Sequence, residues 1–319
     1  MKYWMTWTRT CIRLNAALMC AVWLAAQTAP VFRAGVALVH VDADVTLDGR
    51  TVTGLTMDDF RVFDEGRPQT VLHFASEQQP LDLILLFDFS FSMRPVVQSV
   101  AAAARQGFQE LRQGDRVCIW AFNRRSWEIA PFTSDLDAVA RTLEREVPNQ
   151  RFAGGTWIRA AVDAAALRLM KETKREGRRA VLIITDDYGT HPKREQSVVR
   201  DFWEADAILS GLIVRSASVQ TLRTAGTILA PEMLLLQAGS GMKGIAAKTG
   251  GDTVHASDAG VAFQESMRRI RSRYSLYYPQ PEGKPQTTRS IRVELSGDAA
   301  KRYPNARVRA RTGYVVPKL

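Results

Sequence analysis

Hydrophobic and polar positions change rhythm twice along the 319-residue chain. From Phe32 to Phe74, short alternating runs are broken by turn residues: Val36 to His40, then Asp48-Gly49, then Val62-Phe63 and Val71-Leu72 around Glu65-Gly66. Alternation at a period of two with such punctuation predicts a small antiparallel β unit. The polar stretch from Ser76 to Pro80 closes it. From Leu81 onward the apolar residues come in unbroken runs of strand length, Leu83 to Phe87 first, as they do in parallel strands covered on both faces. Helices are predicted over Val96–Leu111, Leu136–Val147, Ile158–Lys171, Glu195–Asp206 and Val261–Arg273. Strands are predicted over Arg116–Phe122, Arg179–Thr185 and Ile208–Val214, with a short one at Val254. Such alternation makes an α/β fold with a doubly wound, mostly parallel, Rossmann-like sheet.

The stretch Ser216–Gly241 interrupts this pattern. It holds Pro231 and no charge between Arg223 and Glu232, and reads as an inserted loop. Gly244–Gly251 lacks the Lys-Ser/Thr pair of a phosphate loop and reads as a helix end and turn. After Tyr274 the strand pattern returns at Tyr274–Tyr278, Ser290–Leu295 and Arg307–Arg311, and these strands are expected to pack with the N-terminal β unit. The resulting division is a leader at 1–29, a small β domain at 30–80, an α/β domain at 81–275 and a C-terminal β segment at 276–319.

The leader has the shape of an export signal: Lys2, Arg9 and Arg13 precede an apolar run from Leu14 to Ala26, and no acid occurs before Asp42. Ala25, Ala26 and Ala29 offer small residues for cleavage. Export to the periplasm, the cell envelope or the extracellular space follows, with membrane association only through an uncleaved leader. Losing the three basic residues lowers the net charge from +10 to +7. It also removes Cys11 and Cys20 and leaves Cys118, so no intramolecular disulfide can form. Cys118 lies in a predicted strand and reads as a buried, inert thiol. Hydrophobic content of 46% and charged content of 24% are those of a globular protein. With export and no recognition-helix pattern beside the basic charge, nucleic acid is not the expected partner. The four histidines have no metal-type spacing, and Lys171–Arg179 reads as a solvated charged loop.

The chemistry gathers where the first buried run ends, in Asp88-Phe-Ser-Phe-Ser92 followed by Met93-Arg94-Pro95 and a helix. Ligand crevices of open α/β sheets lie beyond the carboxyl ends of the strands, and this cluster falls there. Asp88, Ser90 and Ser92 are two apart and can turn their oxygens toward one point. Thr156, after Gly154-Gly155 and before a helix, and Asp186, at the end of the buried run Val181–Thr185, would complete an oxygen cage. Two carboxylates, three hydroxyls and water suit Mg²⁺, or Mn²⁺. With so few carboxylates the ion would keep affinity for one more anionic oxygen, such as a carboxylate from a protein partner.

The set Asp88-x-Ser90-x-Ser92, Thr156 and Asp186 resembles the metal-ion-dependent adhesion site of von Willebrand factor A domains, over about residues 81 to 275. That resemblance implies that these five residues coordinate the metal, directly or through water. Asp187 departs from the family, which often has glycine there. The segment from Val52 to Gln69, including Thr56, Asp58, Asp59, Phe60 and Gly66, resembles the leader of an acidobacterial family of exported von Willebrand factor A-related proteins. Tyr274–Pro279 and Val308–Tyr314 resemble that family's closing segments. The implied function is binding or adhesion through a divalent cation, without catalysis, and Trp157 beside Thr156 is the best aromatic candidate for touching a ligand. One alternative is a metal-dependent phosphohydrolase of the aspartyl-phosphate class. That chemistry needs an acid/base carboxylate two residues after the nucleophile, where Ser90 stands. The other alternative is a structural envelope protein with a stabilising metal site.

Overall fold

The computed structural model describes residues 37–318 apart from 77–78, 154, 173–175, 190–192 and 215–240. The leader expected at 1–29 lies outside the described residues, as does the inserted loop expected over Ser216–Gly241 except for Gly241 itself.

The strand Leu81–Asp88 is buried at every position and lies inside a six-stranded sheet. From edge to edge the order is Thr253–Ala256, Ile208–Val214, Arg178–Thr185, Leu81–Asp88, Arg116–Phe122 and Ser126–Thr133. The first five strands are parallel and the last is antiparallel to its neighbour. Successive side chains of the central strand face opposite layers. Leu83, Leu85 and Phe87 pack with helices Arg94–Phe108 and Ala259–Arg271, while Ile84 and Leu86 pack with helices Ile158–Lys171, Glu195–Glu204 and Met242–Thr249. An apolar run without polar interruption is therefore what this strand requires.

The sheet departs from the sequence reading at one edge. Ser126–Thr133 forms a strand although Glu128 and Pro131 break its apolar pattern. As an edge strand it tolerates both, and its pairing with Arg116–Phe122 carries register shifts near Ile119. Helix Met242–Thr249 occupies most of the stretch read as a helix end and turn. It ends at Gly250, whose φ of +90° suits a C-terminal glycine.

Strands from both ends of the described chain build two smaller sheets. One runs Arg307–Ala310, Leu38–Leu47, Tyr274–Pro279, His73–Ala75, with Arg50–Thr51 paired to Leu38–Leu47. The other runs Gly313–Val315, Thr288–Leu295, Phe60–Asp64, Arg67–Gln69. Their apolar faces share one core that includes Val41, Val62, Leu276 and Tyr278. Buried Asp64 joins the two sheets, accepting hydrogen bonds from the Tyr278 and Tyr314 hydroxyls at 2.8 and 3.0 Å and from Arg289 at 2.7 Å.

A second buried polar group ties the β strands to the α/β layer. His40, stacked on Tyr277 with ring centroids 4.8 Å apart, bonds Asp42 at 3.1 Å and Asp206 at 3.0 Å. Asp206 follows helix Glu195–Glu204 and also pairs with Arg311 at 3.0 Å. Burial works against a charge on His40, yet Asp206 and Asp42 outweigh it and raise its pKa to about 10. No helix among the described residues is long and apolar enough to cross a membrane.

Candidate metal centre

The chain leaves the central strand in one direction along the sheet, to Arg116–Phe122 and Ser126–Thr133, and then returns on the other side with Arg178–Thr185. The order reverses at Leu81–Asp88, so the carboxyl end of that strand opens a crevice between neighbouring loops. Asp88 is its last residue and is completely buried. Parallel pairing of Phe87 with Ile184 places Thr185 beside Asp88, and the Thr185 hydroxyl donates to Asp88 Oδ2 at 2.7 Å. The Ser90 amide donates to Asp88 Oδ1 at 2.8 Å, turning the loop at once.

That turn brings the next side chains into line. The hydroxyls of Ser90 and Ser92 lie 3.2 Å apart, and Ser92 donates to Asp186 Oδ2 at 2.7 Å. Asp186 Oδ1 in turn accepts the Tyr188 amide at 3.1 Å. Asp88, Ser90, Ser92 and Asp186 thus belong to one hydrogen-bonded chain, in which the first and last members are buried carboxylates. Thr156 is also buried and lies against the turn that follows Asp186: a Cβ on Gly189 would stand 2.4 Å from the Thr156 carbonyl oxygen. Its loop is held by the Trp157 amide donating to the Asn123 carbonyl at 2.9 Å and by the Ala153 amide donating to the Phe89 carbonyl at 3.0 Å.

The electrostatics follow from this crowding. Burial, and after it the nearby charge of Asp186, raise the Asp88 pKa to about 7. Two carboxylates in one desolvated place repel, and a cation between them or a proton on one relieves the cost. Among the described residues no three His, Cys, Asp or Glu side chains form a metal-binding group. The side chains brought together by hydrogen bonds are two carboxylates and the Ser90, Ser92 and Thr185 hydroxyls, while Thr156 is placed nearby only through its backbone carbonyl beside Gly189; oxygen donors of this kind suit Mg²⁺ or Mn²⁺.

Thr185 belongs to this network and was read only as the end of a strand. Its hydroxyl donates to Asp88 and accepts the Asp187 amide at 3.1 Å. The signal was a polar residue closing the apolar run Val181–Ile184. Asp187 is half-buried with φ of +60°, the left-handed region where glycine is unstrained and aspartate is tolerated.

Residues 83–189 match the family model of the von Willebrand factor type A domain. Over this segment the chain is similar to von Willebrand factor type A domains. The A domain match begins in the central strand and ends at the turn after Asp186, so it spans all five candidate positions. Solved structures similar to the chain include the conserved hypothetical protein BatB from Bacteroides thetaiotaomicron, 21% identical over 60% of this chain and 97% of that one, with a TM-score of 0.44. An aerotolerance-related membrane protein from Bacteroides fragilis is 20% identical over 60% of this chain and 98% of that one, with a TM-score of 0.41. The vWF domain of the type V pili tip protein Mfa5 from Porphyromonas gingivalis is 9% identical over 60% and 95%, with a TM-score of 0.39. No curated protein sequence matches the chain.

Proposed function

We propose that the A domain binds one divalent cation, Mg²⁺ or Mn²⁺, at Asp88, Ser90, Ser92, Thr156 and Asp186, and uses it to engage a carboxylate of a protein partner outside the cytoplasm. The observation that carries this reading is the pair of buried carboxylates, Asp88 and Asp186, joined through the Ser90 and Ser92 hydroxyls at the switch point of the sheet. A cation there would neutralise the pair and supply an electron-poor centre for an anionic ligand. The protein's own part is to hold the oxygens in place: Thr185 and the Ser90 amide fix Asp88, and the Tyr188 amide fixes Asp186. The basic, apolar leader before Asp42 supports the extracytoplasmic setting.

Binding rather than turnover is the reading the side chains favour. A phosphoryl-transfer nucleophile at Asp88 would need a general acid two residues on, and Ser90 there donates its amide to Asp88 and offers no carboxyl group. The test is affinity capture from native envelope fractions with Mg²⁺ and elution by chelator, with Asp88→Ala as the control bait. A partner recovered by the wild-type protein and lost with Asp88→Ala or EDTA supports the proposal. Equal recovery in EDTA, or hydrolysis of a phosphate ester abolished by Asp88→Asn, refutes it.

A further inference from the structure

Helix Ile158–Lys171 turns Ala161, Val162, Ala165 and Ala166 into the core, and among these small apolar positions stands Asp163, only 3% exposed. An ionised carboxylate so deeply buried needs donors around it. Lys193 supplies one, its Nζ lying 3.0 Å from Asp163 Oδ2, but Asp163 Oδ1 is buried with no hydrogen-bond partner among the described residues. What helix Glu195–Glu204 brings to this place is a second acid: the Asp201 carboxyl group stands within hydrogen-bond reach of Asp163. Two ionised carboxylates can only accept, so they meet there as like charges. A proton on Asp201 turns the same contact into a strong hydrogen bond.

The charges around the pair do not remove this conflict. Lys193 is half-exposed, and Glu204 adds a third negative charge from the helix of Asp201, held there by Arg200 at 3.0 Å. On the helix of Asp163, Arg159 reaches the Lys193 carbonyl at 3.3 Å and Arg168 pairs with Glu128 and Glu172 at 3.0 and 2.8 Å. Arg179, from the strand beneath, donates to the Leu169 and Ala205 carbonyls at 3.2 and 3.4 Å, and Glu195 is held by Lys248 at 2.7 Å. Burial first, then the hydrogen bond and charge of Asp163, push the Asp201 carboxyl up from 3.8 to about 7, with Glu204 adding to the rise and Lys193 opposing it.

We propose that Asp163 and Asp201 share one proton, which fastens helix Ile158–Lys171 to helix Glu195–Glu204 as a pH-sensitive latch. In acid the proton is held and the helices are tied. As pH rises through neutrality it leaves, the two carboxylates repel, and the helices loosen. The position of the latch gives it leverage: Ile158 follows Thr156 and Trp157 directly, and Lys193 lies between Asp186 and the start of the second helix. Opening it therefore acts on the two segments that hold Thr156 and Asp186. The latch itself stands on the contacts of Asp163, and only this effect on the centre rests on the metal-binding reading. In the proposed extracytoplasmic setting, the pH that works the latch is that of the medium.

The experiment uses the full chain carrying Asp88→Asn in EDTA, so that the central carboxylate does not titrate and no outcome depends on a metal there. With aspartate carboxyl carbons labelled with ¹³C, one resonance should titrate near pH 7 and disappear on adding Asp201→Asn. Adding Asp163→Asn instead should return that resonance toward the ordinary carboxyl range. Amide hydrogen exchange in helix Glu195–Glu204, corrected for the intrinsic rate, should be at least about tenfold faster at pH 8 than at pH 5, the factor carried by one pKa unit of coupling. Asp201→Asn keeps a donor toward Asp163 and should exchange slowly at both. An Asp201 resonance that titrates in the ordinary range, one unmoved by Asp163→Asn, or equal exchange at the two pH values would overturn the inference. So would Mg²⁺ or Ca²⁺ raising the melting temperature of this chain but not of its Asp201→Asn version, which would assign the pair to a metal.

Discussion

Ser92 donates a 2.7 Å hydrogen bond to Asp186, a residue 94 positions away on the next strand's loop. This contact ties the two halves of the candidate centre in the absence of a cation. Ser92→Ala should leave Asp186 repelling Asp88 with less compensation, costing about 1 kcal/mol. Titrating Mg²⁺ in melting scans should show the cation stabilising Ser92→Ala less than wild type at every concentration. Identical curves would remove Ser92 from the site.

The crowding of Asp88 has a sign that can be measured. Its carboxyl pKa rises from 3.8 to about 7 through burial and the charge of Asp186, so the destabilisation is absent below pH 3.8 and complete above 7. The metal-free protein should therefore lose stability as pH rises from about 4 to 7. Asp88→Asn should melt higher than wild type in EDTA at pH 8 and gain nothing from Mg²⁺. A wild-type melting temperature that is flat across this range in EDTA would contradict the buried pair.

His40 gives a second, separable slope. Its folded pKa of about 10 lies above the ordinary 6.5, so the stabilisation it provides is complete below pH 6.5 and is lost as pH rises through 10. Mg²⁺ should leave this window untouched. His40→Gln should flatten it and destabilise the fold by about 3 kcal/mol at neutral pH, because Asp42 is buried and loses its charged partner. Chemical denaturation at several pH values checks both statements.

Gly189 tests the position of Thr156. A side chain there would collide with the Thr156 carbonyl at 2.4 Å, so Gly189→Val should push the two loops apart. An overall cost of about 1–3 kcal/mol is expected from such overpacking. The diagnostic readout is the Mg²⁺-induced rise in melting temperature, which should shrink. An undiminished rise would place Thr156 outside the site.

Cys118 should be silent in the native protein. It is buried beside Glu128, and burial first, then that carboxylate, push its thiol well above the usual range. Iodoacetamide at pH 8 should label it only on unfolding, with mass spectrometry as the readout. Rapid native labelling would show that the strand opens.

Much of the fold was legible because burial on both faces leaves a local trace. The runs Leu83–Phe87 and Val181–Ile184 are apolar at successive positions, and both lie in interior strands of the parallel sheet. The strand Ser126–Thr133 left no such trace, since an edge needs neither continuity nor freedom from proline. Thr185 was legible as a strand end but not as the donor to Asp88, which depends on its neighbour across the sheet. His40 read as one of four scattered histidines, and its partner Asp206 lies 166 residues away.

The order of residues alone determined which side chains avoid water, where strands end and which oxygens stand at those ends, for these follow from polarity and spacing along a few residues. The tertiary structure alone decided that Asp88 meets Thr185, that Ser92 reaches Asp186 and that His40 meets Asp206. Those relations rest on sheet order and register, which bring distant segments together only once both faces of the central strand have been covered.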